Sequence, residues 1–311
     1  MKQKTICVIG DVHGHLQLAL CMAARWQKEE QVLFDALFLC GDVGTFTNEN
    51  QLDSATRSHS KRNECELEFL NQWARSPQPA WLSKIFTPVA EGGLGLCCPV
   101  VMVHGNHEGF EYLENLVPGK YPDEPQPIHS LPAVDTGGFI RLLPSGWKTI
   151  TDSGIVVAGI GGIERGQSRS DYHTMAYIED EAVVKLLESP ASDLLITHQG
   201  PACTQKDGGS KTLQILLDYG KASVWCHGHS NLSPDIIQAG PKKTRVVPLG
   251  DVAFSGKGLE GDDPGKDGHC LIHFEPDLLI KRERPHFWRQ YRKRKWKGME
   301  NFGLVCPDLL D

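Results

Sequence analysis

No two cysteines in this chain stand at C-x-x-C spacing. The ten cysteines fall singly or, at Cys97 and Cys98, side by side. That excludes a dithiol redox motif and a zinc ribbon, and it offers no disulfide framework. Reduced thiols are expected, and with them a cytoplasmic location. No apolar run approaches a bilayer span: SGIVVAGIGGI, 153–163, is the longest and is short and glycine-rich. The opening MKQKTICVIGDVHG turns polar too soon for a signal peptide. Internal repeats are absent, and so is an excess of basic charge. The net charge of −7 argues against a generally basic nucleic-acid binder. Nucleotide-binding glycine loops are missing too. GIGGIERG (159–166) places Glu164 where G-x-G-x-x-G needs its last glycine. GDVAFSGKG (250–258) has the wrong interval for a P-loop, so 250–268 reads as a solvated loop.

What is present is a chain of 311 residues, 40% apolar and 23% charged, enough to bury a large core. Compact apolar runs alternate with helical patterns over the first 116 residues. TICVIG, DALFLCG and PVVMVHG predict strands; 15–30, 64–74 and 107–116 predict helices. This alternation predicts an α/β fold with largely parallel pairing. Five prolines make 118–138 irregular. Beyond it FIRLL, IVVAGIG, DLLITH, ASVWCHG, RVVPLG and HCLIHFE predict further strands, with helices near 176–189 and 210–220. These later strands are expected to form a second sheet with some antiparallel pairing. Residues 1–280 read as one domain and 281–311 as a basic, aromatic tail. Segment 281–297 holds nine Lys/Arg against one acid, a net +8, with four aromatic residues interleaved. The last fourteen residues carry −3, which leaves −12 on the body.

Thirteen histidines are many for this length, and five of them (13, 107, 198, 227 and 229) take the motif positions of one grammar. GDVHGH (10–15), CGDVG (40–44), HGNHE (104–108), THQGP (197–201) and CHGHS (226–230) each follow an apolar strand with metal-ligating residue types. Side chains just past the carboxyl ends of strands line the crevice of an α/β sheet. Asp11, His13, Asp42, Asn106, His107, His198, His227 and His229 are therefore expected to converge. In extended chain, Asp11 and His13 would share a face, as would His227 and His229. The mixed oxygen and nitrogen set suits two divalent ions of Mn, Fe, Zn or Ni.

These five motifs, in this order, resemble the motif set of the calcineurin-like metallophosphoesterase superfamily. The resemblance implies a sandwich of two mixed β-sheets flanked by helices, with the metal site at the strand C-terminal ends. It implies that Asp11, His13 and His229 hold one ion, that Asn106, His198 and His227 hold the other, and that Asp42 bridges. His107 would stay off the metals, contact the phosphate and protonate the leaving oxygen. The implied activity is that of a dinuclear metal-dependent phosphoesterase using a metal-activated hydroxide. The insertion after CGDVG, with GNHEGFEYLENL, IRLLPSG and VVAGIGGIE, further resembles the RNA lariat debranching branch, although those enzymes carry Cys where this chain has Asp11. GDVGTFT lacks the second Asp and the Arg of the Ser/Thr protein phosphatases, so a phosphodiester is expected over a phosphoprotein.

RNA or another nucleic acid is one substrate class, favoured by the debranching-like spacing and by a tail suited to phosphate contact and base stacking. A nucleotide is the other, favoured by the acidic body. A phosphomonoesterase, or a catalytically weak scaffold on the same fold, is the alternative; the complete ligand set argues against decay. The tail's composition also fits an anionic membrane surface, or aromatics packed on the body. Four residues near the motifs are expected to touch substrate: His15 after GDVHG, Glu164 and Arg165 in the glycine-rich loop, and His173 in the polar loop that follows it.

Overall fold

A computed structural model describes residues 4–117, 119, 121–166, 173–204, 209–229, 235–253, 268–275, 277–282, 287 and 291. In chain order the first half forms β1 (Thr5–Ile9), α1 (Leu16–Glu29), β2 (Ala36–Leu39), α2 (Ser54–Ser60), α3 (Ala80–Phe86), β3 (Val100–Met102), α4 (Phe110–Leu116), β4 (Gln126–Pro127), β5 (Ile140–Leu142) and β6 (Lys148–Ile150). The second half forms β7 (Val156–Ile160), α5 (Asp180–Glu188), β8 (Ser192–Thr197), α6 (Lys211–Asp218), β9 (Ala222–His227), β10 (Ile237–Ala239), β11 (Thr244–Pro248), β12 (His269–His273) and β13 (Leu279–Lys281).

The strands make two mixed sheets, β13-β12-β1-β2-β3-β5 and β10-β11-β9-β8-β7-β6-β4. Each has a parallel centre: β1, β2, β3 and β5 in the first, β7, β8, β9 and β11 in the second. Antiparallel strands lie toward the edges, where β12 pairs with β1, β10 with β11 and β6 with β7. The expected two-sheet α/β sandwich is the fold of this chain, with β12 returning to the first sheet.

The strand alternation explains the layering. Ile6 and Val8 of β1 join Phe38, Val101, Leu194, Ile196 and Val224 in the core between the sheets. Cys7 and Ile9 face the other way, onto Leu16, Leu20, Ala23 and Ala24 of α1. On the outer face of the second sheet, Leu195, Trp225 and Val246 meet Val183 and Leu186 of α5 and Leu213, Leu216 and Leu217 of α6. Strands buried on both faces need continuous apolar residues, and the central stretches CVI of β1, ALFL of β2, LLI of β8 and VWC of β9 have them.

Several expectations change in detail. The helix predicted over 64–74 is a 3-10 turn, Glu64–Leu67, followed by a π-type turn, Phe69–Trp73. Glu68 turns inward there, accepting from Gln17 N at 2.8 Å and Trp73 Nε1 at 2.9 Å. The proline-rich segment contributes β4, which pairs with β6 at the edge of the second sheet. The division at 280/281 falls inside β13, and Phe287 and Tyr291 of the basic segment are buried in the core beside α1. The Arg25 guanidinium lies 5.6 Å from the Phe287 ring centroid. Most of 283–311, like 254–267, lies outside the described residues. Among the described residues, no helix is long and apolar enough to cross a membrane.

Candidate metal centre

The chain turns sharply at the carboxyl ends of β1, β2 and β9. His13, Asp42 and His229 have φ of 41°, 48° and 48°, a left-handed conformation that costs a non-glycine residue about 1 kcal/mol or more. Strain concentrated on three candidate ligands marks a site the rest of the fold holds in place. The turns also correct the expectation of extended Asp-x-His and His-x-His segments: His13 and His229 are aimed by left-handed turns, not by strand alternation.

Asp11, Asp42, His198 and His229 place ligand atoms all within 4.8 Å of one another. Asp11 and Asp42 are each only 2% exposed, so two carboxylates face one another away from water. That arrangement requires compensating positive charge. His198 lies between them, Nδ1 3.5 Å from Asp11 Oδ1 and Nε2 3.6 Å from Asp42 Oδ1. Burial opposes a charge on this ring, but Asp42 and Asp11 outweigh it and push its pKa up to about 10. Nδ1 also lies 2.9 Å from the Cys40 carbonyl, and Nε2 lies 3.0 Å from Asn106 Oδ1. Oxygens of Asn106 and Asp42 thus gather around Nε2 as they would around a cation, and the donor set fits a divalent ion.

The close approach depends on two glycines. A Cβ on Gly228 would lie 1.9 Å from Asp11 Oδ1, and one on Gly105 would lie 2.0 Å from Asp42 Oδ1. Backbone groups fix both carboxylates. Asp11 accepts from His229 N at 3.1 and 3.0 Å, and Asp42 Oδ1 accepts from His107 N at 2.8 Å. Glu108, the last residue of HGNHE, ties that loop to CGDVG by accepting from Val43 N, Thr45 N and the Thr45 hydroxyl at 2.8–2.9 Å.

His13 Nε2 lies 3.8 Å from Asp42 Oδ2, and His13 also groups with Asp11 and Asp251. Asp251, read from sequence as part of a solvated loop, is a half-buried neighbour of the site. His227 is buried but turned aside. Its Nδ1 donates to Gly228 O at 2.9 Å, and Nε2 lies 3.3 Å from the Thr204 hydroxyl. Burial lowers its pKa to about 4, and the same cause lowers that of His229 to about 4. Both rings are neutral at pH 7, the form that ligates metals.

His107 sits at the rim, its ring 6.0 Å from that of His13. Its Nδ1 donates to Asp53 Oδ2 at 2.8 Å. Burial works against the charge on His107, but Asp53 and Asp42 prevail and push its pKa up to about 9. Asp53 caps α2 within the insertion, its Oδ1 accepting from Thr56 N at 2.7 Å. Sequence reading missed it; an Asp before a short helix gives a capping signal and none for catalysis. Glu66, from the same insertion, is pushed up to about 7 by burial, against the pull of His13 and His107.

The four residues expected to touch substrate lie outside the cluster of ligand atoms. His15 is 1% exposed and braces the loop carrying His13, Nδ1 lying 2.8 Å from His13 O and Nε2 2.7 Å from Asn63 Nδ2. The Glu164 carboxylate accepts from the Ser210 hydroxyl and from Thr212 N and Oγ1, fixing the start of α6. Arg165 lies over the Tyr177 ring, 4.9 Å from its centroid, on a polar cavity of about 450 Å³. His173 stacks on Phe110 at 5.5 Å and accepts from Met175 N.

The sequence model of the calcineurin-like phosphoesterases matches residues 4–231, which span all five motifs. This chain belongs to the calcineurin-like phosphoesterase family. As a calcineurin-like phosphoesterase it is placed among hydrolases of phosphoesters. No curated protein matches it. Two solved structures are similar at low identity. One is a hypothetical protein from Thermus thermophilus, at 12% identity and TM-score 0.43, covering 90% of this chain and 100% of that one. The other is a structure described as a novel phosphatase from Mycoplasma pneumoniae, at 15% identity and TM-score 0.37, covering 81% of this chain and 73% of that one.

Proposed function

We propose that this calcineurin-like phosphoesterase is a two-metal phosphodiesterase in which His107 protonates the leaving oxygen. The observation that carries the reading is the pairing of His107 with Asp53 at the rim of the buried Asp11, Asp42, His198 and His229 cluster. Asp11, His13, Asp42 and His229 would hold one ion, and Asn106 and His198 the other with Asp42 bridging. The family resemblance makes His227 the seventh ligand, and its ring would have to leave Thr204 to reach the second ion. Bound divalent ions supply Lewis acidity toward the phosphoryl oxygens and an acidified water. Asp53 holds the His107 ring by Nδ1, which leaves Nε2–H to donate toward a leaving alkoxide. Asp42 Oδ1 fixes the His107 backbone and so keeps the acid in register with the cluster.

The charge around the crevice favours a diester. Two bound divalent ions would make the pocket positive, but Asp53 beside His107 and Asp251 beside Asp11 add carboxylates around it, and a diester brings one negative charge where a monoester dianion brings two. A nucleotide is favoured over a long polyanion, because the body is acidic and two of the tail's aromatics are buried in the core and unable to stack on bases. The test is hydrolysis of bis(p-nitrophenyl) phosphate, p-nitrophenyl phosphate, a cyclic mononucleotide and a branched RNA, with Mn, Fe, Zn or Ni and after chelation. A metal-dependent preference for the diesters is expected, with His107→Ala lowering kcat by about 100-fold or more. Monoester preference, or a His107→Ala enzyme as fast as wild type, overturns the reading.

A further inference from the structure

GDVA at 250–253 repeats the start of the first motif without its histidine. The loop follows β11, which runs parallel to β9 with Pro248 opposite His227, so it emerges beside the His227 and His229 turn. It is stitched to both neighbours. Leu249 N donates to His227 O at 2.8 Å, and Val252 N donates to Asp11 O at 2.6 Å. Gly10 and Gly250 meet so closely that a Cβ on Gly10 would lie 2.2 Å from Gly250 O. The loop therefore has little freedom relative to Asp11. The outcome is a second group of ligand atoms, from Asp11, His13 and Asp251, all within 4.8 Å of one another. Asp11 belongs to both groups, so the two lie side by side.

We propose that Asp251 is an additional ligand to the ion held by Asp11 and His13. This rests on the two-metal reading above and adds a residue outside the five motifs. With Asp42 bridging, that ion would have three carboxylates and the imidazoles of His13 and His229. The other ion would have one shared carboxylate, an amide oxygen and imidazoles. Three carboxylates neutralise a divalent charge more fully and favour a hard, higher-coordinate ion such as Mn or Fe(II). The two positions should therefore differ in affinity and in metal preference. The oxygen-rich position is the one that depends on Asp251.

The test uses the full chain as wild type, Asp251→Asn and Asp251→Ala. Mn is counted by elemental analysis and titrated calorimetrically, with paramagnetic resonance as the spectroscopic readout. Wild type should bind about two ions and show a spin-coupled pair. Asp251→Ala should weaken one site by about 100-fold, leaving the signal of an isolated ion. Asp251→Asn keeps the shape and a carbonyl oxygen, and should fall between the two. Equal melting temperatures in chelator establish that the variants are folded. Two ions of unchanged affinity and a coupled signal in both variants overturn the role of Asp251 and leave the two-metal reading standing. A wild type that binds no ion overturns both.

Discussion

The two sheets bring chemically different halves to the site. Strand ends of the first sheet supply Asp11, His13, Asp42, Asn106 and His107; those of the second supply His198, His227, His229 and, beyond β11, Asp251. The oxygen donors come mainly from one side and the imidazoles from the other. The halves also differ in how they are held. The first is braced within itself: His13 N donates to Asp42 O at 2.8 Å, His107 N to Asp42 Oδ1, and Glu108 clamps two of its loops. The second leans on the first, for His198 Nδ1 is set by Cys40 O and the His229 backbone by the Asp11 carboxylate. Neither half is a site alone, and packing of Ile6, Val8 and Phe38 against Leu194, Ile196 and Val224 assembles it.

The largest effect should come from prising the halves apart. Gly228 belongs to the second half and lies against Asp11 of the first, so Gly228→Ala drives a methyl group into Asp11 Oδ1. Asp11 must swing away and release its hold on the His229 backbone. A displacement of about 1 Å costs about 100-fold in rate, and metal content should fall with it. Elemental analysis and kcat/KM on the diester measure both. An alanine variant with full metal content and activity within a factor of two would break the claim that the second half is oriented by the first.

A smaller effect separates the proposed acid, His107, from the proposed metal ligands. Asp53 comes from neither set of strand ends, so Asp53→Asn should lower kcat by about 10- to 100-fold and leave metal content unchanged. Asparagine still caps α2 through its side-chain oxygen, so the helix is retained. A fall in bound metal, or unchanged kcat, would mean that Asp53 serves the fold and not the His107 ring.

The sheet-borne part of this site is legible in sequence because apolar runs mark the strands and the ligand types follow at their ends. The insertion-borne part is not. Asp53 and Glu66 reach the site, and Asn63 and Glu68 brace the start of α1 beside it, because 45–74 folds back over that start, and no periodicity encodes the return. β6 (KTI) and β10 (IQA) lack the continuous apolar run that marks β3 (VVM), a strand of the same length. Glu164 shows a different limit. A glutamate in a polar glycine-rich loop looks the same whether it meets a ligand or the first turn of α6. Asp251 shows the converse: its motif lacks histidine, and only the pairing of β11 with β9 brings it beside Asp11.

The smallest effect tests how the first half is braced from below. Glu68 holds the start of α1 through Gln17 N and the insertion through Trp73 Nε1. Burial pushes its pKa up to about 8, from an ordinary value near 4.5, although both hydrogen bonds oppose the shift. The folded chain therefore binds a proton that the unfolded chain has released between about pH 4.5 and 8. The contribution is full below pH 4.5 and is lost as pH rises through about 8, where the buried carboxylate becomes charged. Glu68→Gln keeps an oxygen to accept from Gln17 and Trp73 and never ionises. Its melting temperature should match wild type at pH 5 and exceed it at pH 9, by on the order of 2–4 °C for each kcal/mol the charged carboxylate costs. Other groups near the site, Glu66 and Asp251 among them, titrate in both proteins, so the difference between the two melting curves isolates residue 68. Curves that stay parallel from pH 5 to pH 9 would show that Glu68 reaches water, and the brace beneath the first half would then have to lie in Trp73 and Phe69 alone.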